Sequence, residues 1–130
     1  MRSFVAITTN LVLVFLLAVS ASAAELVMFD RKGCQWSAKW YAEIGADAYN
    51  STQEGRTAPL RTVDIGAARP SDLEFIGGIV DTPTFVLVEN GKEIGRFVGY
   101  PSRDMFFGKV IIMLDKLSGA DRQYKTITVQ

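Results

Sequence analysis

Cys34 is the only cysteine of the chain, and it stands in the stretch RKGCQWSAKW (31–40) with Ser37 three positions further on. Cys-x-x-Ser has the outline of a two-thiol redox motif whose second sulfur has become a hydroxyl. A thiol is a poor nucleophile until it ionises, which free cysteine does near pH ~8.5. The start of a helix, where unpaired backbone N–H groups and the helix dipole favour negative charge, lowers that value. Arg31, Lys32 and Lys39 are expected to add positive potential. Ser37, one helical turn on, can donate a hydrogen bond to the sulfur but cannot form a disulfide with it. Cys34 is therefore expected to attack a disulfide and form a mixed disulfide, whose release needs an outside thiol such as glutathione.

The rest of the composition narrows the alternatives. There is no histidine, which excludes Cys-His and Ser-His pairs and removes the commonest zinc ligand; no metal and no resident cofactor are expected. One cysteine allows no internal disulfide, so the domain must stand on its apolar core. Formal net charge is zero. Without a basic surface to displace counterions, nucleic acid is not an expected partner.

The elements that must position Cys34 are legible in outline. ELVMFD (25–30) reads as a buried strand, and Gly33 ends the turn that follows. A helix is expected from Cys34 to about Tyr49, with Trp40, Tyr41, Ile44 and Ala48 facing inward. Trp36, at its start, is expected to be an exposed contact residue. NSTQEGRTA (50–58) reads as a polar loop, and PLRTVDI (59–65) alternates like a strand. Ser71 with Glu74 has the form of a capping box for a short helix. TPTFVLVENGKEIGRFVGY (82–100) carries an apolar strand, an Asn-Gly turn and a return strand. PSRDMFFGKVIIMLDKL (101–117) closes with a helix burying Phe106, Val110, Met113 and Leu117. A parallel β-α-β unit followed by an antiparallel hairpin predicts an α/β domain, a four-stranded mixed sheet flanked by helices on both faces.

Residues 1–23 are set apart. Arg2 is the sole charge before Glu25, LVLVFLLAV (11–19) is an apolar run, and ASA (21–23) has the small-x-small form of a cleavage site. Nine apolar residues rise only ~14 Å in a helix, against a hydrocarbon core of ~30 Å. The expected organisation is a signal peptide over 1–23 and one domain over 24–130, exported to the periplasm or secreted, with no membrane span after cleavage.

Three local features resemble the thioredoxin family: Gly33-Cys34-Gln35-Trp36-Ser37 between the first strand and helix, DTPTFVLVENGKEIGRFVG (81–99) with its proline before a strand and hairpin, and Gly99 at the end of the last strand. CQWSAKWYAEIG, EGRTAPLRTVDI and TPTFVLVENGKEIGRFVGYPSRDMFF are similar to the small periplasmic thioredoxins of bacterial sulfur-oxidation systems, the SoxS-like group. The resemblance implies the thioredoxin fold, a cis bond before Pro83, and a substrate ledge formed by Thr82 and Pro83, with Gly99 beside it. It implies thiol–disulfide exchange with a partner protein bearing a disulfide or thiol, accessory to sulfur oxidation. Two departures stand out. Ser37 occupies the place of the second cysteine, and Met28 stands six residues before Cys34, where thioredoxins keep a buried aspartate.

The leading expectation is monothiol exchange by an oxidoreductase-like monomer, with a Cys34-linked dimer as a variant. A second reading is a redox-inert module that holds its partner non-covalently through Trp36, Thr82 and Pro83. A third borrows from monothiol glutaredoxins, whose Cys-Gly-Phe-Ser motif holds iron–sulfur clusters with glutathione; Gln35 departs from that pattern.

Overall fold

In a computed structural model, residues 24–117 are described; the expected signal peptide and the tail from Ser118 lie outside them. The elements run β1 (Ala24–Asp30), α1 (Gln35–Glu43), α2 (Ala46–Ser51), α3 (Gln53–Thr57), β2 (Leu60–Asp64), a 3-10 turn (Ser71–Leu73), β3 (Thr84–Glu89), β4 (Lys92–Val98) and α4 (Arg103–Leu114). The sheet order is β2-β1-β3-β4. β1 pairs in parallel with β2 and antiparallel with β3, and β3 pairs antiparallel with β4. This is the mixed four-stranded sheet of the thioredoxin fold. Among the described residues no helix is long and apolar enough to cross a membrane.

β1 and β3 are central strands covered on both sides, which is why they read as continuous apolar runs. Leu26, Met28, Phe85 and Leu87 point to one face, where they pack with Trp40 of α1, Ile44 just after it, Tyr49 of α2 and Phe106 and Val110 of α4. Val27, Phe29, Val86 and Val88 point to the other, against Val63, Leu73 and Ile76. Among the described residues, the helical cover of this second face amounts to the single 3-10 turn. Phe106 is the hub of the first face, with ring centroids of Phe85 at 4.9 Å, Trp40 at 5.8 Å and Tyr49 at 5.9 Å. Such pairs add about 0.5–1.5 kcal/mol each beyond their buried area.

The helix expected from Cys34 to Tyr49 is broken. Gly45 takes φ +78°, a left-handed conformation open to glycine, and α2 starts afresh after it. The break changes which side chains face inward. Trp40 and Ile44 are buried as expected, but Tyr41 and Ala48 are exposed, and Tyr49 takes the inward place instead. Its hydroxyl donates to the carbonyl of Ala58 at 2.9 Å.

The polar stretch 50–58 is not a loop but the end of α2 and the whole of α3. The Thr52 hydroxyl accepts from the Gly55 N–H at 3.0 Å, capping α3. Gly55 also lets α3 approach α2 closely: a Cβ there would stand 2.0 Å from the Tyr49 carbonyl oxygen. The capping box at Ser71 and Glu74 does not form, because Pro70 takes the N-cap position and only one 3-10 turn follows. The hairpin keeps its expected turn, with Asn90 at φ 51° and Gly91 at φ 71°. In α4, Ser102 caps the start by accepting from the Met105 N–H at 3.3 Å, and Phe106, Val110, Met113 and Leu117 are all buried.

Candidate active site

β1 delivers the chain to the site and a tight turn aims it. The Asp30 carboxylate accepts from the Arg31 N–H at 2.6 Å, and Gly33 turns at φ +84°. Cys34 follows as the N-cap residue of α1, its backbone extended at φ −71° and ψ 117°, and its carbonyl accepts from the Ala38 N–H at 3.0 Å. The helix thus begins at Gln35, with Cys34 at its mouth. The thiol is half-buried and unpaired with any other sulfur.

The loop that leads into β3 meets it. Cys34 Sγ donates to the carbonyl oxygen of Thr82 at 3.2 Å. The Thr82–Pro83 peptide bond is cis, and Pro83 itself is buried. Its carbonyl accepts from the Gly99 N–H at 2.7 Å, which fixes the end of β4 beside the same loop. Around the sulfur opens a cleft of about 680 Å³, bounded by Cys34, Trp36, Thr82, Val98 and Gly99. Of the residues predicted for the site, Cys34, Trp36, Thr82 and Gly99 line this cleft. Ser37 and Pro83 lie beneath it, so the ledge expected of Thr82 and Pro83 together is presented by Thr82, with Pro83 as its support. Trp36 is half exposed and available for contact, whereas Trp40 is fully buried in the core.

The ionisation of Cys34 is biased toward the anion. Burial alone would raise its pKa, but hydrogen-bond donors outweigh it: the side chains of Ser37 and Thr82 and the backbone N–H groups of Ser37 and Trp36 together hold the thiol below its ordinary value. The Ser37 hydroxyl is buried and has no hydrogen-bond partner beside the protonated sulfur. Loss of the thiol proton gives it an acceptor and ends the bond from Sγ to Thr82. The expected help from cations is not what lowers the value. Lys39 is turned away, donating to the Pro101 carbonyl at 3.2 Å; Arg31, which reaches the Val80 carbonyl at 3.5 Å, and Lys32 border the cleft but are not among the causes of the shift. Backbone and hydroxyl donors, rather than lysine and arginine charge, favour the thiolate.

Met28 is fully buried in the helix-side core, so its position offers no carboxylate. Sequence reasoning missed a carboxylate that does border the site. Asp30, at the end of β1, shares a recess of about 240 Å³ with Cys34, Ser37 and Tyr41. Burial raises the Tyr41 pKa, and Asp30 beside it raises it further. Val98 was missed as well. Its place as the last residue of an edge strand, next to Gly99, was the available signal.

Comparison with solved structures gives two informative likenesses. The periplasmic thioredoxin SoxS from Paracoccus pantotrophus, in its reduced form, is 38% identical, with a TM-score of 0.67 over 72% of this chain and 97% of that one. A thioredoxin from Malassezia sympodialis, Mala s 13, is 19% identical, with a TM-score of 0.57 over 72% of this chain and 79% of that one, a likeness of fold alone. No protein-family model and no curated protein matches the chain.

Proposed function

The chain belongs to the thioredoxin-like superfamily, on its SoxS-like side, and from that premise we propose that it is an exported monothiol exchange protein acting through Cys34. The observation that carries the reading is the placement of one sulfur at the mouth of α1, 3.2 Å from Thr82, in an open cleft where donors favour the thiolate. In the first step the Cys34 thiolate attacks one sulfur of a partner's disulfide. A new S–S bond joins Cys34 to that sulfur, the old S–S bond breaks, and the partner's other sulfur leaves as a thiolate. Ser37 stands where a resolving thiol would have to be, so no internal attack follows. An outside thiol, glutathione or a cysteine of the partner, then attacks the mixed disulfide and returns Cys34 as thiolate. Each step exchanges one thiolate for another with no net electron transfer to a cofactor.

Thr82 would align the extended partner segment, with Pro83 and Gly99 supporting it and Trp36 covering the neighbouring residue. The periplasm is the proposed compartment, because disulfides persist there, residues 1–23 have the pattern of a signal peptide, and the SoxS relative is a periplasmic protein. A role beside sulfur oxidation, on the thiol carriers of such a system, is the corresponding biological setting.

The test is to incubate the purified protein with an extract of oxidised periplasmic proteins and identify by mass spectrometry what is disulfide-bonded to Cys34. Covalent complexes that dissolve in glutathione are expected. Capture that persists in C34A would instead assign the cleft to non-covalent binding and overturn the exchange reading.

A further inference from the structure

The cleft around Cys34 does not end at Val98 and Gly99. It continues into a groove of about 430 Å³ that shares Trp36, Val98 and Gly99 with it and is closed on the far side by Pro101, Met105 and Lys109. Trp36, Val98 and Met105 are each about half exposed, at 50%, 52% and 52%. Single exposed apolar residues are ordinary on a protein surface, but three bordering one groove beside a reactive sulfur form a patch. Met105 lies in the first turn of α4, fixed by the Ser102 cap. Lys109, one turn further on, lies over the Phe97 ring at 5.4 Å. It is the only charged residue lining the groove among the described residues.

We propose that this groove is a specificity subsite that takes the partner's chain next to its disulfide-bonded cysteine, selecting an extended segment with an apolar side chain followed by an acidic one. The inference rests on the exchange reading and deepens it. A segment tethered through its sulfur to Cys34 must lie across the adjoining surface, and the groove adjoins the sulfur's cleft at Trp36, Val98 and Gly99. Its apolar walls accept an apolar side chain. Lys109 at the far end supplies the one charge, which a carboxylate complements and a lysine does not. Met105, flexible and polarizable, suits a wall that adapts to aliphatic or aromatic occupants. Discrimination of this kind acts through the rate of the attack step, since the same sulfur chemistry serves every substrate.

The experiment uses the mature protein and three disulfides: glutathione disulfide, and two peptides whose cysteine is capped by glutathione, with Leu-Asp or Leu-Lys following the cysteine. The rate of mixed-disulfide formation at Cys34 is measured for each. For the wild type, the Leu-Asp peptide is expected to react about tenfold faster relative to glutathione disulfide than the Leu-Lys peptide. M105E should lower the ratio for both peptides to glutathione disulfide about tenfold, an effect of the size a lost apolar contact produces. K109E should reverse the preference between the two peptides. Ratios identical in wild type and both variants would overturn the subsite while leaving the exchange reading intact. Dimerisation at micromolar concentration that M105E abolishes, with peptide ratios unmoved, would assign the groove to a second copy and also overturn it. A thiol inert toward all three disulfides would sink the exchange reading and the subsite together.

Discussion

Cys34 and Thr82 lie forty-eight residues apart in sequence, yet the sulfur of one donates to the main-chain oxygen of the other across 3.2 Å. That contact can exist only while the thiol keeps its proton. The Ser37 hydroxyl and the backbone N–H groups of Trp36 and Ser37 work in the other direction and prevail. The site is thus a balance between one acceptor and several donors around a single sulfur. Its behaviour should change predictably when either side is altered.

The first consequence concerns pH. The rate of Cys34 alkylation by iodoacetamide should rise with pH through a midpoint below the ordinary thiol value of about 8.5. S37A removes a donor to the anion and should move that midpoint upward. The sign for stability follows from linkage. Between the lowered native midpoint and the ordinary value, the unfolded chain holds a proton that the native chain has lost, so native stability increases with pH across that window. It is lost as pH falls through the native midpoint. C34A should flatten this rise in denaturant titrations at stepped pH, and a slope identical in C34A would remove the thiolate from the account.

A second consequence concerns release. Ser37 is buried under the cleft, one turn along α1 from Cys34, and cysteine is nearly isosteric with serine. S37C should give an internal attacking thiol, and intramolecular attack carries a large effective concentration. A preformed mixed disulfide with a peptide should then discharge at least ~100-fold faster in S37C than in the wild type without added thiol. Rapid-quench alkylation followed by mass spectrometry measures both rates. Equal discharge would mean that residue 37 cannot reach the sulfur.

The third consequence concerns the core that holds the cleft in place. Phe106 is fully buried and touches the rings of Trp40, Tyr49, Phe85 and Phe97, thereby joining α4 to α1, α2 and both strands of the hairpin. F106A should cost about 3–5 kcal/mol of stability by urea denaturation. Because α4 carries Met105 and packs against the element bearing Cys34, the variant should also broaden the reactivity of Cys34 toward alkylating agents. A loss below about 1 kcal/mol would mean that the aromatic cluster is looser than its geometry implies.

These residues also mark where the sequence was legible. A continuous apolar run located β3, and the Asn-Gly turn with the alternating return strand located β4, because a strand buried on one or both faces leaves its pattern in the chain. The junction of ELVMFD with Gly33 and Cys34 placed the sulfur at the start of α1, since a strand ending in a turn before a helix is a local signal. What escaped were effects of tertiary contact. Nothing in AEIGADAY (42–49) says that Gly45 will take φ +78° and divide the helix, because an isolated glycine inside a helical pattern is tolerated at a modest cost. Burial of Ser37, the turning away of Lys39 toward Pro101 and the groove between Trp36 and Met105 each depend on elements distant in sequence.

Two glycines provide the last test, since they are needed for different reasons. Gly99 takes φ +86° with open space around a hypothetical Cβ, so G99A meets a backbone penalty alone, about 1–2 kcal/mol. Its N–H bond to Pro83 survives the substitution, and the variant should fold and melt earlier. Gly55 has no such conformational demand, but a Cβ there would stand 2.0 Å from the Tyr49 carbonyl oxygen and 2.6 Å from the Asn50 Cα. Those are backbone atoms that cannot step aside without moving α2 against α3. G55A should therefore cost more than G99A, at about 3–4 kcal/mol, within the range of severe steric substitutions. It should also release the Tyr49 hydroxyl from Ala58, visible as increased exposure of tyrosine absorbance. Denaturant titrations of the two variants side by side decide the matter: equal losses would mean that α2 and α3 do not approach as closely as the structure places them.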